Sequence, residues 1–277
     1  MKREFEFHQR VERSILTTYR KEIWKPFILA VKRYELIQEG DKIAVCISGG
    51  KDSMLLAKLM QELQRHSKVH FEMVFLVMDP GYSEVNRRKI EENAAMLNVP
   101  ITIFETDIFN VANGTDHNPC YLCARMRRGY LYSRAKELGC NKIALGHHFN
   151  DVIETTVMAM FYGAQLQAML PKLHSSNFEG MELIRPMYCV HEEDIIRWKN
   201  AHGLEFLQCA CRFTESCMAS DGTGVSKRQE VKQLLRQLKR DNPDIEKSIF
   251  NSIHSVCLDT MPGWKTKGEE HSFLENY

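Results

Sequence analysis

Apolar side chains recur at helical spacing through the first forty residues. Between positions 8 and 38 they fall three or four residues apart, a period that predicts a helix with one buried face. The positions that carry this pattern are Val11, Ile15, Leu16, Tyr19, Ile23, Trp24 and Phe27. Pro26 predicts a break within the helix, because proline lacks the N–H group that a helix interior needs. Gly40 and Asp41 then end the segment.

Short apolar runs alternate with helical stretches from Lys42 onward. Strands are predicted at 42–47, 71–78, 101–105, 142–145 and 181–186. Helices are predicted at 52–66, 83–97, 125–138, 151–161 and 192–201. This alternation is typical of an α/β fold with a doubly wound parallel sheet. In such a sheet, ligands bind beyond the carboxyl ends of the strands.

The pattern changes after Cys217. A polar, glycine-containing loop at 219–224 precedes two predicted helices, a strongly charged one at 227–240 and another at 243–256. The residues from Pro262 to Tyr277 are polar and predict a flexible tail.

Composition and charge narrow the class of protein. Of the 277 residues, 44% are hydrophobic and 26% charged, as in soluble globular proteins. No apolar run reaches the roughly 18 residues of a membrane-spanning helix. The segment Met1–Arg13 is charged and lacks the apolar stretch of a signal peptide, so we expect a cytoplasmic protein with no membrane partner. The net charge of +1 gives no general attraction to nucleic acid, but it leaves a local basic patch open.

A glycine-rich loop stands between the predicted strand at 42–47 and the helix that follows. Its residues are Ser48, Gly49, Gly50, Lys51, Asp52 and Ser53. The glycines let the backbone approach a phosphate closely, and the helix start beyond them offers unpaired N–H groups. The serines and Lys51 can add donors, and Asp52 can hold Mg²⁺ or cap the helix. The loop is too short for the pattern G-x-x-x-x-G-K-[ST]. Its place between strand and helix predicts an ATP site rather than a simple turn.

Polar residues also follow two other predicted strands, at the edge where a nucleotide would bind. Asp79 ends one strand, and either the nucleotide site or an ordinary turn explains it. Gly146, His147 and Asp151 follow another strand and are further candidates for the nucleotide site. Asp151 is alternatively a helix cap, with Glu154 completing a capping box.

The nine cysteines fall into isolated positions and two groups. Cys46, Cys140, Cys189 and Cys257 are isolated, and such cysteines are usually small buried hydrophobic residues. The two groups are Cys120 with Cys123, and Cys209 with Cys211 and Cys217. In a cytosolic protein, clustered cysteines favour metal binding or chemistry over disulfides. Thiolates suit zinc or an iron–sulfur cluster, and the spacing alone leaves both open.

Several of these motifs together resemble one family. They are SGGKDS at 48–53, CYLCARMRRGYLY at 120–132, ALGHHFNDVIET at 144–155, FYGAQLQAMLPKL at 161–173 and IRPMYCV at 184–190. They are similar to the tRNA 2-thiocytidine synthetase (TtcA) family of the PP-loop, or N-type, ATP pyrophosphatases. The resemblance covers about residues 30–210. It implies a Rossmann-like PP-loop ATPase fold, here with N-terminal and C-terminal helical extensions.

The resemblance also implies a reaction. Members of the family bind ATP and Mg²⁺ and adenylate O2 of a cytidine in the tRNA anticodon loop. They then replace that oxygen with sulfur, and AMP and pyrophosphate are released. Three cysteines hold a [4Fe–4S] cluster with one open iron, and Cys120, Cys123 and Cys209 fall on those positions. With Asp52 they are the candidate catalytic residues. The family usually has a CxxC at the third ligand, so Cys211 and Cys217 are further candidates.

Basic residues predict where tRNA binds. The candidates are Arg125, Arg127, Arg128 and Arg134 beside the CxxC motif, and Lys227 and Arg228 on the late helix. A solvated helix face is the alternative explanation for both groups. Further expected partners are a sulfur donor, either a cysteine desulfurase or free sulfide, and a second copy of the chain in a homodimer.

We therefore expect four parts. They are an N-terminal helical extension at 1–39, a PP-loop ATPase domain with the cysteine site at 40–218, C-terminal helices at 219–260 and a flexible tail at 261–277. Two alternatives to the cytidine reaction stay open. One is sulfur transfer to another tRNA base or a small molecule, and the other is a zinc-stabilised, ATP-binding regulator.

Overall fold

The structure of the protein is a computed structural model that describes residues 5–108, 119–207 and 226–277. The side chains of 119–124 and of Asn276 lie outside that description. The described residues form two compact units. One lies within Met1–Val152 and Met169–Val225, and the other lies within Ile153–Ala168 and Ser226–Tyr277.

The first helices bury the apolar face that their spacing predicts. Helix α1 spans Phe7–Leu16, a π-helical turn spans Arg20–Trp24, and helix α2 spans Lys25–Arg33. The α-helix is interrupted from Thr17 to Trp24, and α2 begins at Lys25 with Pro26 in its first turn. The break therefore lies just before Pro26 rather than at it. The helices share the core of the sheet instead of forming a separate body.

A six-stranded sheet is the centre of the first unit. Its strands are β1 (Lys42–Ile47), β2 (Glu72–Asp79), β3 (Ile101–Glu105), β4 (Lys142–Ala144), β5 (Lys172–His174) and β6 (Glu182–Ile184). The order across the sheet is β3-β2-β1-β4-β6-β5, and all neighbours are parallel except β5 and β6. The edge strand β5 has three residues and was not predicted from the sequence.

Helices cover both faces of this sheet. They are α3 (Lys51–His66), α4 (Glu84–Met96), α5 (Pro119–Glu137) and α7 (Glu192–Ala201). Helix α6 (Phe149–Gly163) begins in this unit, and from Ile153 its residues belong to the second. Alternate residues of β1 face two different cores, since Ile43 and Val45 pack with α1 to α3, whereas Ala44 packs with α5. The predicted doubly wound α/β sheet is confirmed.

Helix α5 begins at Pro119, six residues before the predicted start. Cys120 and Cys123 therefore lie in the first turns of the helix rather than just before it. The early start fixes the backbone spacing between the CxxC motif and the arginines that follow it.

The second unit contains helices and a small hairpin. Helices α8 (Lys227–Asp241) and α9 (Ile245–Ser252) precede strands β7 (Gly263–Thr266) and β8 (Glu269–Ser272), which pair in antiparallel fashion. The residues expected to form a flexible tail thus form a β-hairpin. Within the described ranges, no helix is both long and apolar enough to cross a membrane.

Candidate functional site

The glycine-rich loop joins the end of β1 to the start of α3. Gly49 has a φ of +82°, in the left-handed region that favours glycine. A Cβ at Gly49 would lie 2.6 Å from Cγ1 of Ile90. Both the backbone conformation and the close approach therefore require glycine here.

Hydrogen bonds hold the loop in shape. The Ser53 hydroxyl accepts from the backbone N–H of Ser48 at 3.1 Å and donates to the carbonyl of Gly50 at 3.0 Å. Gly50 is the N-cap residue of α3, and no described side chain caps this helix start. The first N–H groups of α3 are thus donors of the kind that bind phosphate oxygens.

Lys51 places a positive charge at the same helix start. Its Nζ lies 3.0 Å from Oδ2 of Asp52 and 3.2 Å from Oε1 of Glu192. Burial acts to lower the pKa of Lys51, but the two carboxylates outweigh it and the pKa is raised. The ammonium group is therefore charged at neutral pH.

Asp52 has an unusual oxygen. Its Oδ1 is buried and has no hydrogen-bond partner among the described residues. Nε2 of His148 lies 3.8 Å from this oxygen, beyond hydrogen-bond distance. A buried carboxylate oxygen without a donor is costly unless a cation or another ligand satisfies it.

Gly146 brings the loop after β4 against the start of α3. A Cβ at Gly146 would lie 3.1 Å from the carbonyl carbon of Asp52 and 3.1 Å from the backbone nitrogen of Ser53. The absence of a side chain therefore lets the two backbones meet at the carboxyl end of the sheet.

These segments enclose a cavity of about 450 Å³, here called the loop cavity. Its lining residues are Cys46, Ile47, Ser48, Asp52, Ser53, Met78, Tyr82, Arg127, Arg128, Leu131, Ile143, Leu145, Gly146, His147 and Asp151. The structure thus brings together residues predicted for the nucleotide, from the loop and from 146–151, with two arginines predicted for tRNA.

Asp79 lies at the end of β2, but it does not line the loop cavity. Its Oδ1 accepts hydrogen bonds from the N–H groups of Gly81 at 2.9 Å and Tyr82 at 2.7 Å. The turn explanation of Asp79 therefore has direct support, and this turn positions Tyr82, which does line the cavity.

Asp151 stabilises the start of α6 from inside the helix. Its Oδ2 accepts from the backbone N–H of His148 at 2.9 Å, and the helix begins at Phe149. Asp151 is therefore not the residue that precedes the helix, and the predicted capping box with Glu154 is wrong. Within the second unit, Glu154 instead pairs with Arg228 at 2.9 Å.

Arg185 is a polar neighbour of the cavity that the sequence analysis missed. Its Nε donates to Nδ1 of His147 at 3.3 Å, and its Nη1 donates to the carbonyl of Leu170. A guanidinium can only donate, so Nδ1 of His147 is the acceptor and the ring proton sits on Nε2. Burial, and after it the charge of Arg128, lowers the pKa of Arg185 to about 10. No sequence pattern marks Arg185, because its role depends on contacts with residues that are distant in the sequence.

The other predicted tRNA contacts are placed differently. Arg134 pairs with Glu137 at 2.8 Å on α5. In the second unit, Nζ of Lys227 lies 4.9 Å from the centre of the Tyr162 ring. Arg228, as noted, pairs with Glu154. These three cations thus have protein partners, and Arg125 lines a different cavity.

The predicted cluster ligands are only partly described. The backbone of α5 places Cys120 and Cys123 at its start, and their side chains are not described. Cys209, Cys211 and Cys217 lie outside the described residues. Among the side chains that are described, no group of three or more His, Cys, Asp or Glu residues is arranged for a metal ion.

The isolated cysteines are unpaired thiols with different exposure. Cys46 and Cys140 are buried as predicted, Cys189 is half-buried, and Cys257 is exposed, against the prediction. Burial raises the pKa of Cys46 to about 12. Cys46 therefore lines the cavity as a neutral thiol and not as a nucleophile.

Comparisons with known proteins match most of the chain. A family described as a PP-loop domain matches residues 12–211. A tRNA-cytidine(32) 2-sulfurtransferase from Citrifermentans bemidjiense is 34% identical over 231 residues, covering 82% of this chain and 87% of its own. A protein of the same name from Cellvibrio japonicus is 36% identical over 256 residues, covering 90% and 80%.

A solved structure has a similar fold. It is the U34-tRNA thiolase NcsA from Methanococcus maripaludis with its [4Fe-4S] cluster. The TM-score is 0.65 at 20% sequence identity, and the match covers 83% of this chain and 76% of the other. At this identity the likeness is one of fold.

Proposed function

Because the chain belongs to the family of tRNA-cytidine(32) 2-sulfurtransferases and contains its PP-loop domain, we propose that it converts a cytidine of the tRNA anticodon loop to 2-thiocytidine. The reaction uses ATP in two steps. O2 of cytidine attacks the α-phosphorus of ATP and pyrophosphate leaves. Sulfide then attacks C2, the C2–O bond breaks, and the oxygen leaves with AMP.

One observation carries this proposal. The loop cavity is lined on one side by Ser48, Asp52 and Ser53 and on the other by Arg127 and Arg128 of α5. A nucleotide bound at the glycine-rich loop and an RNA base brought in by the arginines would meet in this cavity. Activation of the base by ATP requires that meeting.

The loop fits the triphosphate of ATP. Gly49 supplies the left-handed backbone conformation that turns the loop, and the start of α3 beyond it offers N–H donors. Lys51 holds a positive charge beside them and would stabilise the negative charge that develops on the departing pyrophosphate.

Asp52 is the proposed Mg²⁺ ligand. Its buried Oδ1 lacks a described hydrogen-bond partner, and carboxylate oxygens suit this hard cation. When bound, Mg²⁺ supplies charge neutralisation to the phosphates. Asp52 also pairs with Lys51, so the Mg²⁺ that Asp52 would hold and the ammonium of Lys51 would act on the same phosphate groups.

His147, next to Gly146 on the loop after β4, is a second proposed hydrogen-bond donor to the nucleotide. The bond from Arg185 leaves its ring proton on Nε2. This N–H can orient a phosphate or ribose oxygen of the nucleotide. Gly146 and Asp151 hold the loop that carries His147.

The cysteines at the start of α5 are the proposed cluster ligands. Cys120 precedes Arg127 by seven residues, or about 10 Å of helix axis, and lies on nearly the same helix face. Thiolates are the donors that iron–sulfur clusters use, so the residue set of Cys120, Cys123 and Cys209 fits a [4Fe–4S] cluster. When bound, the cluster supplies a protected entry point for sulfide. Cys211 and Cys217 are the alternative third ligands.

The sulfur donor follows from this chemistry. It is free sulfide, or a cysteine desulfurase whose persulfide sulfur is first reduced to sulfide by a thiol. The resemblance to the family, and not the reaction, is the reason that we propose a homodimer as the active form. Arg127 and Arg128 contact the tRNA near the reacting base.

Mass spectrometry of tRNA nucleosides tests the proposal. Cells with the gene should contain 2-thiocytidine, and cells without it should lack it. Complementation with C120A, C123A or C209A should fail, although the purified variants still bind ATP. Complementation with C257A, which removes an exposed thiol, is the matched control and should succeed.

Two outcomes would overturn the proposal. Unchanged 2-thiocytidine without the gene would remove the cytidine as substrate. Full activity of a zinc-loaded protein without iron would remove the cluster.

A further inference from the structure

A second cavity lies on the other side of the arginines. It has a volume of about 430 Å³ and lies between α5 and the turn that connects β5 to β6. Its lining residues are Arg125, Arg128, Gly129, Tyr132, Leu173, His174, Ser175, Ser176, Asn177 and Phe178. It is here called the turn cavity, and nothing in the proposed reaction uses it.

The charged groups known to line the turn cavity are positive. They are the guanidinium groups of Arg125 and Arg128, and no carboxylate of the described side chains lines it. Among the described residues, neither arginine lies within ion-pair distance of a carboxylate, whereas Arg134 on the same helix pairs with Glu137. The positive charge of Arg128 repels that of the buried Arg185 and, after burial itself, helps to lower the pKa of Arg185. Like charges held together in a chain of net charge +1 indicate an anionic ligand.

The turn adds neutral hydrogen-bonding groups in a fixed arrangement. The backbone N–H of Ser175 donates to the carbonyl of Met181 at 2.8 Å, and its Oγ accepts from the N–H of Phe178 at 3.2 Å. The Phe178 ring stacks on Tyr132 of α5, with ring centres 5.2 Å apart. Ser176 and Asn177 are thereby held opposite the arginines.

Arginine, serine and asparagine side chains are the groups that contact RNA phosphates. We infer that the turn cavity binds a backbone phosphate of the tRNA next to the nucleotide that enters the loop cavity. Arg128 lines both cavities, so it lies between the reacting base and the neighbouring phosphate. This inference rests on the proposed function, because it takes tRNA as the substrate.

Removal of Arg125 tests this phosphate site, since Arg125 lines the turn cavity and not the loop cavity. In the full-length protein, R125A should weaken tRNA binding about five- to tenfold. It should lower the slope of log K against log salt concentration by about one, as expected for one lost phosphate contact. ATP affinity should not change. R125K should lose less than R125A, since it keeps the charge.

Two further variants separate the cavity from general charge. The double variant S176A/N177A should weaken tRNA binding two- to threefold with an unchanged salt slope, because it removes neutral donors. R88A is the matched control, since Arg88 is exposed on α4 and lines neither cavity. It should bind tRNA like the unsubstituted protein.

Three results would contradict the phosphate site. Unchanged affinity and salt slope in R125A, or an equal loss in R88A, would overturn the phosphate site. With the glycine-rich loop occupied by a non-hydrolysable ATP analogue, inorganic phosphate should bind to the unsubstituted protein but not to R125A, and saturating tRNA should exclude it. Phosphate binding that persists beside tRNA would mean that the cavity takes a free ion, and the inference would be wrong.

The two proposals can fail separately. If R125A loses tRNA affinity but the chain forms no 2-thiocytidine, the site stands and the reaction falls. If 2-thiocytidine forms and R125A binds tRNA normally, the reaction stands and the site falls.

Discussion

Two lysines of α3 show how position turns one side chain into a structural or a functional residue. Lys58 is fully buried, and its Nζ lies 2.5 Å from Oε1 of Glu12, 2.7 Å from Oε1 of Gln61 and 2.7 Å from the carbonyl of Leu97. An ammonium has three donors, and here the protein occupies all of them. Lys58 therefore links three parts of the fold and has no donor left for a ligand.

Lys51 lies two turns earlier on nearly the same helix face. Its described partners are Asp52 and Glu192, and 23% of its side chain is exposed. Two of its three donors thus have described partners, next to a glycine loop and a helix start. A lysine thus serves a ligand where the fold leaves its ammonium both charged and partly exposed to solvent.

The substitution K51M should have the largest effect, and this effect should be on the rate of adenylation. Loss of the ammonium should lower kcat/KM for adenylation by about 100- to 1000-fold, or about 2.7–4 kcal/mol of transition-state stabilisation. The melting temperature should fall less than in K58M, because 23% of the Lys51 side chain is exposed whereas Lys58 is fully buried. Pyrophosphate release and thermal unfolding measure the two quantities. Activity within threefold of the unsubstituted protein would contradict the role of Lys51.

The same substitution at Lys58, seven residues later, should lower stability and leave ATP binding unchanged. K58M removes a buried cation from Glu12, and breaking a buried pair costs about 3 kcal/mol. For a chain of this size, that lowers the melting temperature by about 6–12 °C. The affinity of the folded protein for ATP should not change, as measured by calorimetry at a temperature where K58M is folded. A stable K58M with weakened ATP binding would erase the distinction between the two lysines.

A smaller effect is expected from E192Q. Glu192 holds Lys51 at 3.2 Å, and a phosphate must compete with this ion pair. The two side chains are 23% and 16% exposed, so solvent screens the pair in part. With a contribution of about 0.2–1 kcal/mol, E192Q should bind ATP roughly 1.4- to fivefold more tightly. Weaker ATP binding would mean instead that the carboxylate of Glu192 positions the lysine for the nucleotide.

The smallest expected effect is on the pH dependence of stability, through Glu12. Burial acts to raise the pKa of Glu12, but hydrogen bonds from Arg65 and Lys58 outweigh it and the pKa is lowered below its ordinary 4.5. The folded protein thus binds this proton less readily than the unfolded chain does. The stability that Glu12 contributes is present above pH 4.5 and is lost as the pH falls through the folded-state pKa. In urea titrations below pH 4.5, the stability of E12Q should fall less steeply with acid than that of the unsubstituted protein.

The sequence predicts well what is local. The glycine loop, the strand before it and the helix after it are contiguous, so their period and residue types indicated a phosphate site. The parallel sheet followed from the alternation of short apolar runs with helical ones. Family membership follows from the same stretches, and the comparisons confirm the resemblance.

Contacts between residues that are far apart in the sequence cannot be predicted from local patterns. Arg185 meets His147 across 38 positions, and Glu192 meets Lys51 across 141. No local pattern marks either pair. The edge strand β5 is too short to show a period, and its hydrogen bonds come only from β6. The polar residues 263–272 predict a tail, yet they form a hairpin, because cross-strand hydrogen bonds and not apolar content define it.

The bare backbone at Gly146 has a consequence for inheritance. Since this residue abuts the peptide between Asp52 and Ser53, the two crossover loops are fitted to each other and cannot be exchanged singly. A chimaera that carries the SGGKDS segment in another sheet therefore also needs a glycine at the position of Gly146. The unit that must be inherited together is the pair of loops, not the six residues of the motif alone.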